Sequence, residues 1–150
     1  MPAEIPSSLS SLFGVAQFRD YPLVTISQRF TDERGQILNI ADGVLGDVAY
    51  ITSNKGAIRA NHIHKNDWHL TYLIDGRMVY QWEQLNSGKT KSKIEVVAGQ
   101  LFYTPKNIAH KMTFLEKSSF IAVSGLNRDQ DSYELDTQRL DSDYFEDTRS

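Results

Sequence analysis

The chain contains no cysteine, which excludes disulfide staples and thiolate metal sites. It has little charge of one sign: 16 Lys and Arg stand against 19 Asp and Glu, for a formal net charge of -3. That balance offers no broad basic field to a nucleic acid. No apolar run approaches the roughly 18 to 20 residues needed to cross a bilayer. The opening stretch, MPAEIPSSLSSLFG, has no basic leader followed by an apolar segment, so a secretory signal is not expected. A cytoplasmic location, with neither nucleic-acid nor membrane partners, is the simplest expectation. Histidine is also scarce, with only four in 150 residues, and their placement is the most informative feature of the chain.

What is present suits a folded domain. Hydrophobic residues make up 40% and charged residues 23% of the chain, enough to build a core and against global disorder. The length fits a single domain over 1–150, with a core at about 23–126. Short segments rich in β-branched and aromatic residues recur: LVTISQ (23–28), QILNIA (36–41), DVAYIT (47–52), HLTYLI (69–74), RMVYQWE (77–83), KIEVV (93–97), QLFYT (100–104), HKMTF (110–114) and FIAVS (120–124). Gly, Asn and Asp separate them, which predicts an all-β sandwich or barrel. Ser7 to Phe13 suggests one short helical turn.

Asp75-Gly76 predicts a type I′ hairpin between two strands. NSGKTK (86–91) predicts a looser one, and Pro105 should end a strand because it cannot donate to a ladder. The last segment, 127–150, has three Arg against six Asp and two Glu. It is expected to be a solvated acidic arm. The alternative is an arm packed on a partner subunit through Tyr133, Leu135, Leu140, Tyr144 and Phe145.

Three of the four histidines crowd into GAIRANHIHKNDWHLTYLIDG (56–76), and the fourth is His110. If 58–64 is a strand, His62 and His64 share a face, because alternate residues do. Arg59 then falls on the opposite face unless a bulge intervenes. His69 comes after a polar turn and is expected on a neighbouring strand facing the same pair. In 69–74, parity gives two largely apolar faces, so this strand should be covered on both sides. Its Leu, Tyr and Ile row points to a homodimer. Imidazole is a common ligand for divalent transition metals, and an H-x-H pair with a third histidine nearby begins a metal site. Trp68, Tyr80, Trp82, Phe102 and Tyr103 are expected to be packing residues.

The spacing resembles the cupin family. Gly56, five residues, His62, Ile63, His64, four residues, His69, six residues and Gly76 match its first motif, with His69 where the family usually has Glu. Gly99, five residues, Pro105, Lys106, Asn107, two residues and His110 match its second motif. Asn107 stands in place of a glycine and Phe114 in place of the final Asn. Asn tolerates positive φ, so that turn should survive. The resemblance implies a small antiparallel β-barrel of jelly-roll type, and a metal held by His62, His64, His69 and His110. A set of imidazoles suits Fe, Mn, Ni, Cu or Zn and is poor for Ca or Mg. Replacing Glu with His leaves the full +2 charge uncompensated by ligands, which favours an anionic or enolate substrate.

A finer likeness concerns DERGQI (32–37) and RANHIHK (59–65). They resemble cupins that isomerise or epimerise nucleotide-linked keto-sugars. Asp32, Arg34, Gly35, Arg59, His62, His64 and Lys65 match, while Ala60 replaces the usual Gly. YELDTQRL (133–140) is similar to the closing segment of such proteins. The likeness implies that Arg59 and Lys65 contact a substrate diphosphate and that a histidine moves a proton α to the sugar carbonyl. Histidine at both 69 and 110 favours a metal-bound relative over the metal-free ketoisomerases. Two other classes remain open: a metal-dependent oxygenase of a small enolisable substrate, and a non-catalytic metal- or sugar-binding module.

Overall fold

The computed structural model describes residues 3–4, 21–26, 29–85, 88, 90–127 and 129–146. The expected helical turn at Ser7 to Phe13, and half of the 86–91 turn (86, 87 and 89), lie outside the described residues. Strands dominate: β1 (Ala3–Glu4), β2 (Leu23–Thr25), β3 (Arg29–Asp32), β4 (Gly35–Leu38), β5 (Asp47–Ser53), β6 (Ile58–His64), β7 (His69–Asp75), β8 (Arg77–Gln84), β9 (Ser92–Val97), β10 (Leu101–Thr104), β11 (Ile108–Phe114) and β12 (Ser118–Ser124). A short helix, α1 (Gln130–Asp136), and a last strand, β13 (Thr137–Arg139), close the sequence of elements. β10 stops at Thr104, immediately before Pro105.

The strands form two facing sheets, in the order β1-β2-β10-β7-β12-β5 and β13-β6-β11-β8-β9, with β3 and β4 as a separate ribbon. Every described pairing but β1 with β2 is antiparallel. This is the all-β jelly-roll architecture. Between the sheets lie Leu73, Met78, Tyr80, Trp82, Phe102, Ile108, Phe114 and Phe120. Tyr80 satisfies its buried hydroxyl on Thr104 Oγ1 at 2.7 Å. Trp68, Leu70, Tyr103 and Val123 pack on the outer face of the first sheet beneath Ile26, Ile40, Ala41 and Leu45. The chain's own residues thus cover much of the face that suggested a partner, while Ile74 stays 41% exposed.

The Asp-Gly turn differs from expectation. β7 and β8 belong to different sheets, so Asp75-Gly76 carries the chain across the sandwich and does not close a hairpin. Gly76 has φ 98, whereas Asp75 is not in the left-handed region, which rules out type I′. A Cβ at Gly76 would meet the Ser118 side chain and the Lys117 carbonyl oxygen, the latter at 2.7 Å. Glycine is needed for this close approach as well as for its backbone angle.

The acidic arm is also more than a solvated tail. β13 adds to the edge of β6, pairing Thr137 with His64 and Arg139 with His62. Beyond it, Phe145 is buried against Ile63 and Ala109 on the outer face of the second sheet, with Leu85, Leu140 and Tyr144 around it. Tyr144 hydrogen-bonds Glu83 through its hydroxyl. Of the five proposed anchors, Leu135 alone is strongly exposed, at 78%.

Candidate metal centre

β6 builds one side of the site. His62 and His64 alternate with Ile63, which turns to the outer cluster, and the two imidazole centroids lie 4.4 Å apart. β11 brings His110 directly opposite His62, with centroids at 4.8 Å. One nitrogen from each of these three rings falls within 4.8 Å of the others. His69 opens β7 and arrives from the facing sheet rather than from a neighbouring strand. Its ring is 4.6 Å from His64, but it stands outside the tight group of three. Its Nε2 is held by Asp67 Oδ2 at 3.1 Å.

Arg59 reaches the same face because a bulge does intervene. The pairing of β11 with β6 skips a residue between His110–His62 and Lys111–Ala60. Ala60 (φ 66) and Asn61 (φ 59) both adopt left-handed backbone there. The arm fastens the bulge: Leu140 N–H donates to the Asn61 carbonyl at 3.0 Å, and Asn61 Nδ2 donates to the Asp141 carbonyl at 3.1 Å. In the turn before β11, Asn107 takes φ 62, as the motif requires, and donates its N–H to the His64 carbonyl at 2.7 Å.

The hydrogen bonds fix tautomers. His110 Nδ1 faces the Ile108 carbonyl oxygen at 2.9 Å. A carbonyl only accepts, so Nδ1 carries the proton and Nε2 keeps a lone pair. His64 Nδ1 faces Asp136 Oδ2 at 3.3 Å, and Thr137 Oγ1 is at 3.5 Å. The Thr137 hydroxyl spends its proton on the Tyr133 carbonyl at 2.6 Å, so both neighbours of Nδ1 accept. His64 Nε2 is therefore the metal-competent nitrogen.

Burial, then repulsion from His110, His64 and His69, holds the His62 imidazole far below its usual pKa. Burial also drives His110 down to about 3, against the opposing pull of its bond to Ile108. Neutral imidazoles are what a divalent transition ion requires, so the donor set fits such an ion. Asp67 is held below the ordinary carboxylate range. Burial opposes this, but the hydrogen bond from His69 and the Leu126 N–H outweigh it.

A cavity of about 290 Å³ opens beside the histidines. His62, His69 and His110 line its buried part, Arg59 and Arg139 its exposed part, and Ile51, Met112, Phe120 and Ala122 an apolar wall. Tyr133 of α1 also reaches it. Arg59 is braced by Ser53 Oγ at 2.7 Å and the Thr52 carbonyl at 2.9 Å. Lys65 lies on the turn after β6, exposed and outside this lining. Asp32 and Arg34 close the β3–β4 ribbon, where Arg34 N–H donates to Asp32 Oδ1 at 2.9 Å, and do not line the cavity. Asp67, Tyr133, Asp136 and Arg139 carry no signal of their own in the sequence. Only the YELDTQRL likeness touches three of them.

Residues 36–145 match the family described as Cupin. The chain belongs to the cupin family. A search of curated proteins finds no match. Among solved structures, this cupin is similar to a dTDP-4-dehydrorhamnose 3,5-epimerase from Sulfolobus tokodaii, with TM-score 0.62 and 18% identity over 77% of this chain and 74% of that one. It is also similar to the QdtA 3,4-ketoisomerase from Thermoanaerobacterium thermosaccharolyticum, solved as a double mutant with TDP: TM-score 0.61, 21% identity, 75% and 83% covered. A third is the capsular polysaccharide assembling protein CapF from Staphylococcus aureus: TM-score 0.57, 21% identity, 80% and 34% covered. The cupin spans about a third of that last protein. At these identities the likeness establishes the jelly-roll fold. Among the described residues, no helix is long and apolar enough to cross a membrane.

Proposed function

We propose that this cupin is a metal-dependent isomerase or epimerase of a keto-sugar or nucleotide-linked sugar, working by enolisation. One observation carries the reading: three buried imidazole nitrogens lie within 4.8 Å of one another beside a cavity whose exposed part presents two arginines. Fold relatives that act on such sugars support it. His62, His64 and His110 would hold the ion, which is Fe, Mn, Ni, Cu or Zn by the softness of the donors. A divalent ion there supplies Lewis-acid polarisation of a substrate carbonyl.

The chain's own residues do the rest. Asp67 can only accept, so His69 donates Nε2–H to it and keeps its lone pair on Nδ1. That orients a cavity-lining base for the proton α to the carbonyl. Arg59 and Arg139 bind anionic oxygens, for which guanidinium forks are suited, and Lys65 meets a longer diphosphate outside the cavity. The apolar wall excludes water from the enolate. The proposal includes one domain over 1–150, a cytoplasmic location and a homodimer. The dimer is supported by the exposed Phe30, Ile37, Val48 and Tyr50.

The test combines elemental analysis with deuterium wash-in. The purified protein should carry close to one equivalent of transition metal, and keto-sugars linked to dTDP or UDP should exchange their α-hydrogen in D₂O. Less than about a tenth of an equivalent after metal addition, with no exchange, overturns the reading. Oxygen uptake with small diketones would instead mark an oxygenase. Ligand-induced thermal stabilisation without turnover would mark a binding module.

A further inference from the structure

Asp136 is the last residue of α1 and one of the few buried carboxylates, at 8% exposure. Four donors converge on it. Oδ1 accepts from Asn66 N–H at 2.8 Å and Asn66 Nδ2 at 3.1 Å. Oδ2 accepts from Asp67 N–H at 3.2 Å and faces His64 Nδ1 at 3.3 Å. The adjoining β13 holds it in place by pairing Thr137 with His64, and the Asp136 carbonyl accepts the Lys65 N–H at 3.0 Å. No acidic residue is among the three clustered ligands, so the ion's charge has no directly bound counter-charge. A carboxylate hydrogen-bonded to a ligating imidazole fixes its tautomer and raises its basicity.

We infer that Asp136 is the positioning residue of the metal centre, and that it makes the order of the C-terminal arm depend on the ion. The inference rests on the proposed metal site. Asp136 turns His64 so that Nε2 is the ligand and places a negative charge one imidazole away from the ion. Because Asp136 belongs to the arm, the coupling runs both ways: an ion that draws on His64 tightens the arm by the same factor by which the arm tightens the ion. All four groups on Asp136 are donors. Each oxygen takes two of them, so an amide at this position would turn its own NH₂ against a pair of donors, and Asn cannot replace the carboxylate.

Zinc affinity of the full chain, measured by chelator competition, tests this in Asp136→Asn. The expected loss is 10- to 100-fold. Phe145→Ala, which loosens the arm but keeps the Asp136 carboxylate, should lower zinc affinity only as far as it releases the arm, short of the Asp136→Asn loss. Two readouts need only the native chain, should Asp136→Asn fail to fold. Nitrogen-15 NMR of the apo protein should show His64 protonated on Nδ1. Zinc should slow hydrogen exchange of the amides over 129–140. An Nε2-protonated His64, exchange there indifferent to zinc, or a variant binding within twofold of the native chain each overturns the inference. A native chain that binds no divalent ion fails one step earlier and takes the metal site with it.

Discussion

At residue scale, the strained backbone at Ala60 decides where Arg59 goes. A left-handed φ costs an L-residue with a Cβ roughly 1–2 kcal/mol, and Ala60 bears that cost at φ 66. Glycine adopts the angle freely but has more conformational freedom to lose from the unfolded chain. The net prediction for Ala60→Gly is a gain of about 1 kcal/mol, read as a higher urea midpoint with unchanged slope. A drop in the midpoint would show that the Ala60 methyl group is needed for packing. The bulge serves the cavity by turning Arg59 onto it, so the two arginines make a second prediction. Arg59→Ala or Arg139→Ala should raise KM by about tenfold or more, the range for a lost hydrogen bond to a charged group, with kcat little changed. A fall in kcat at constant KM would assign them to the transition state instead.

At element scale, the arm behaves as part of the sheet it covers. Phe145, 2% exposed, closes the outer cluster on Ile63 and Ala109. Phe145→Ala should cost about 3 kcal/mol, at the low end for a buried phenylalanine because the cluster is small. Chemical denaturation measures it, and a loss below about 1 kcal/mol would mean that the arm is only lightly attached. The sequence does not make this packing legible. Six aspartates and two glutamates dominate the composition of 127–150, β13 has only three residues, and neither Leu140 nor Phe145 falls in a periodic pattern. The strands are legible because alternation and turn residues are local signals. The four histidines are legible because two spaced motifs place them. Asp67 and Asp136 are not, since strand parity relates neighbours on one strand and says nothing of the facing sheet or of a returning arm. Asp75-Gly76 misleads for the same reason: a turn sequence reports local backbone preference, not whether the next strand rejoins the same sheet.

At the scale of the whole molecule, the histidine cluster makes stability depend on pH. His62 and His110 are neutral in the folded protein, chiefly because burial disfavours their charged forms. Once unfolded, each returns to the ordinary value of 6.5. Between pH 6.5 and the depressed folded values, the unfolded chain binds more protons than the native one, so stability rises with pH there. Read downward, stability starts to fall below about 6.5, and for His110 the loss continues to about 3. Asp67 acts in the same direction, since a carboxylate held below its ordinary value of 3.8 loses its contribution as acid protonates it. Scanning calorimetry in a chelator should show Tm level above pH 7 and declining steadily from pH 6.5 to 4. Zinc should raise Tm at pH 7.5 by mass action and progressively less as protons compete for the same nitrogens. His110→Gln should flatten the chelator profile by removing one of the two groups, even if it lowers Tm throughout. A chelator profile level from pH 7 to 5 would mean that these imidazoles are as protonated in the folded protein as in the unfolded chain, and a cluster charged in that way would repel the ion it is proposed to hold.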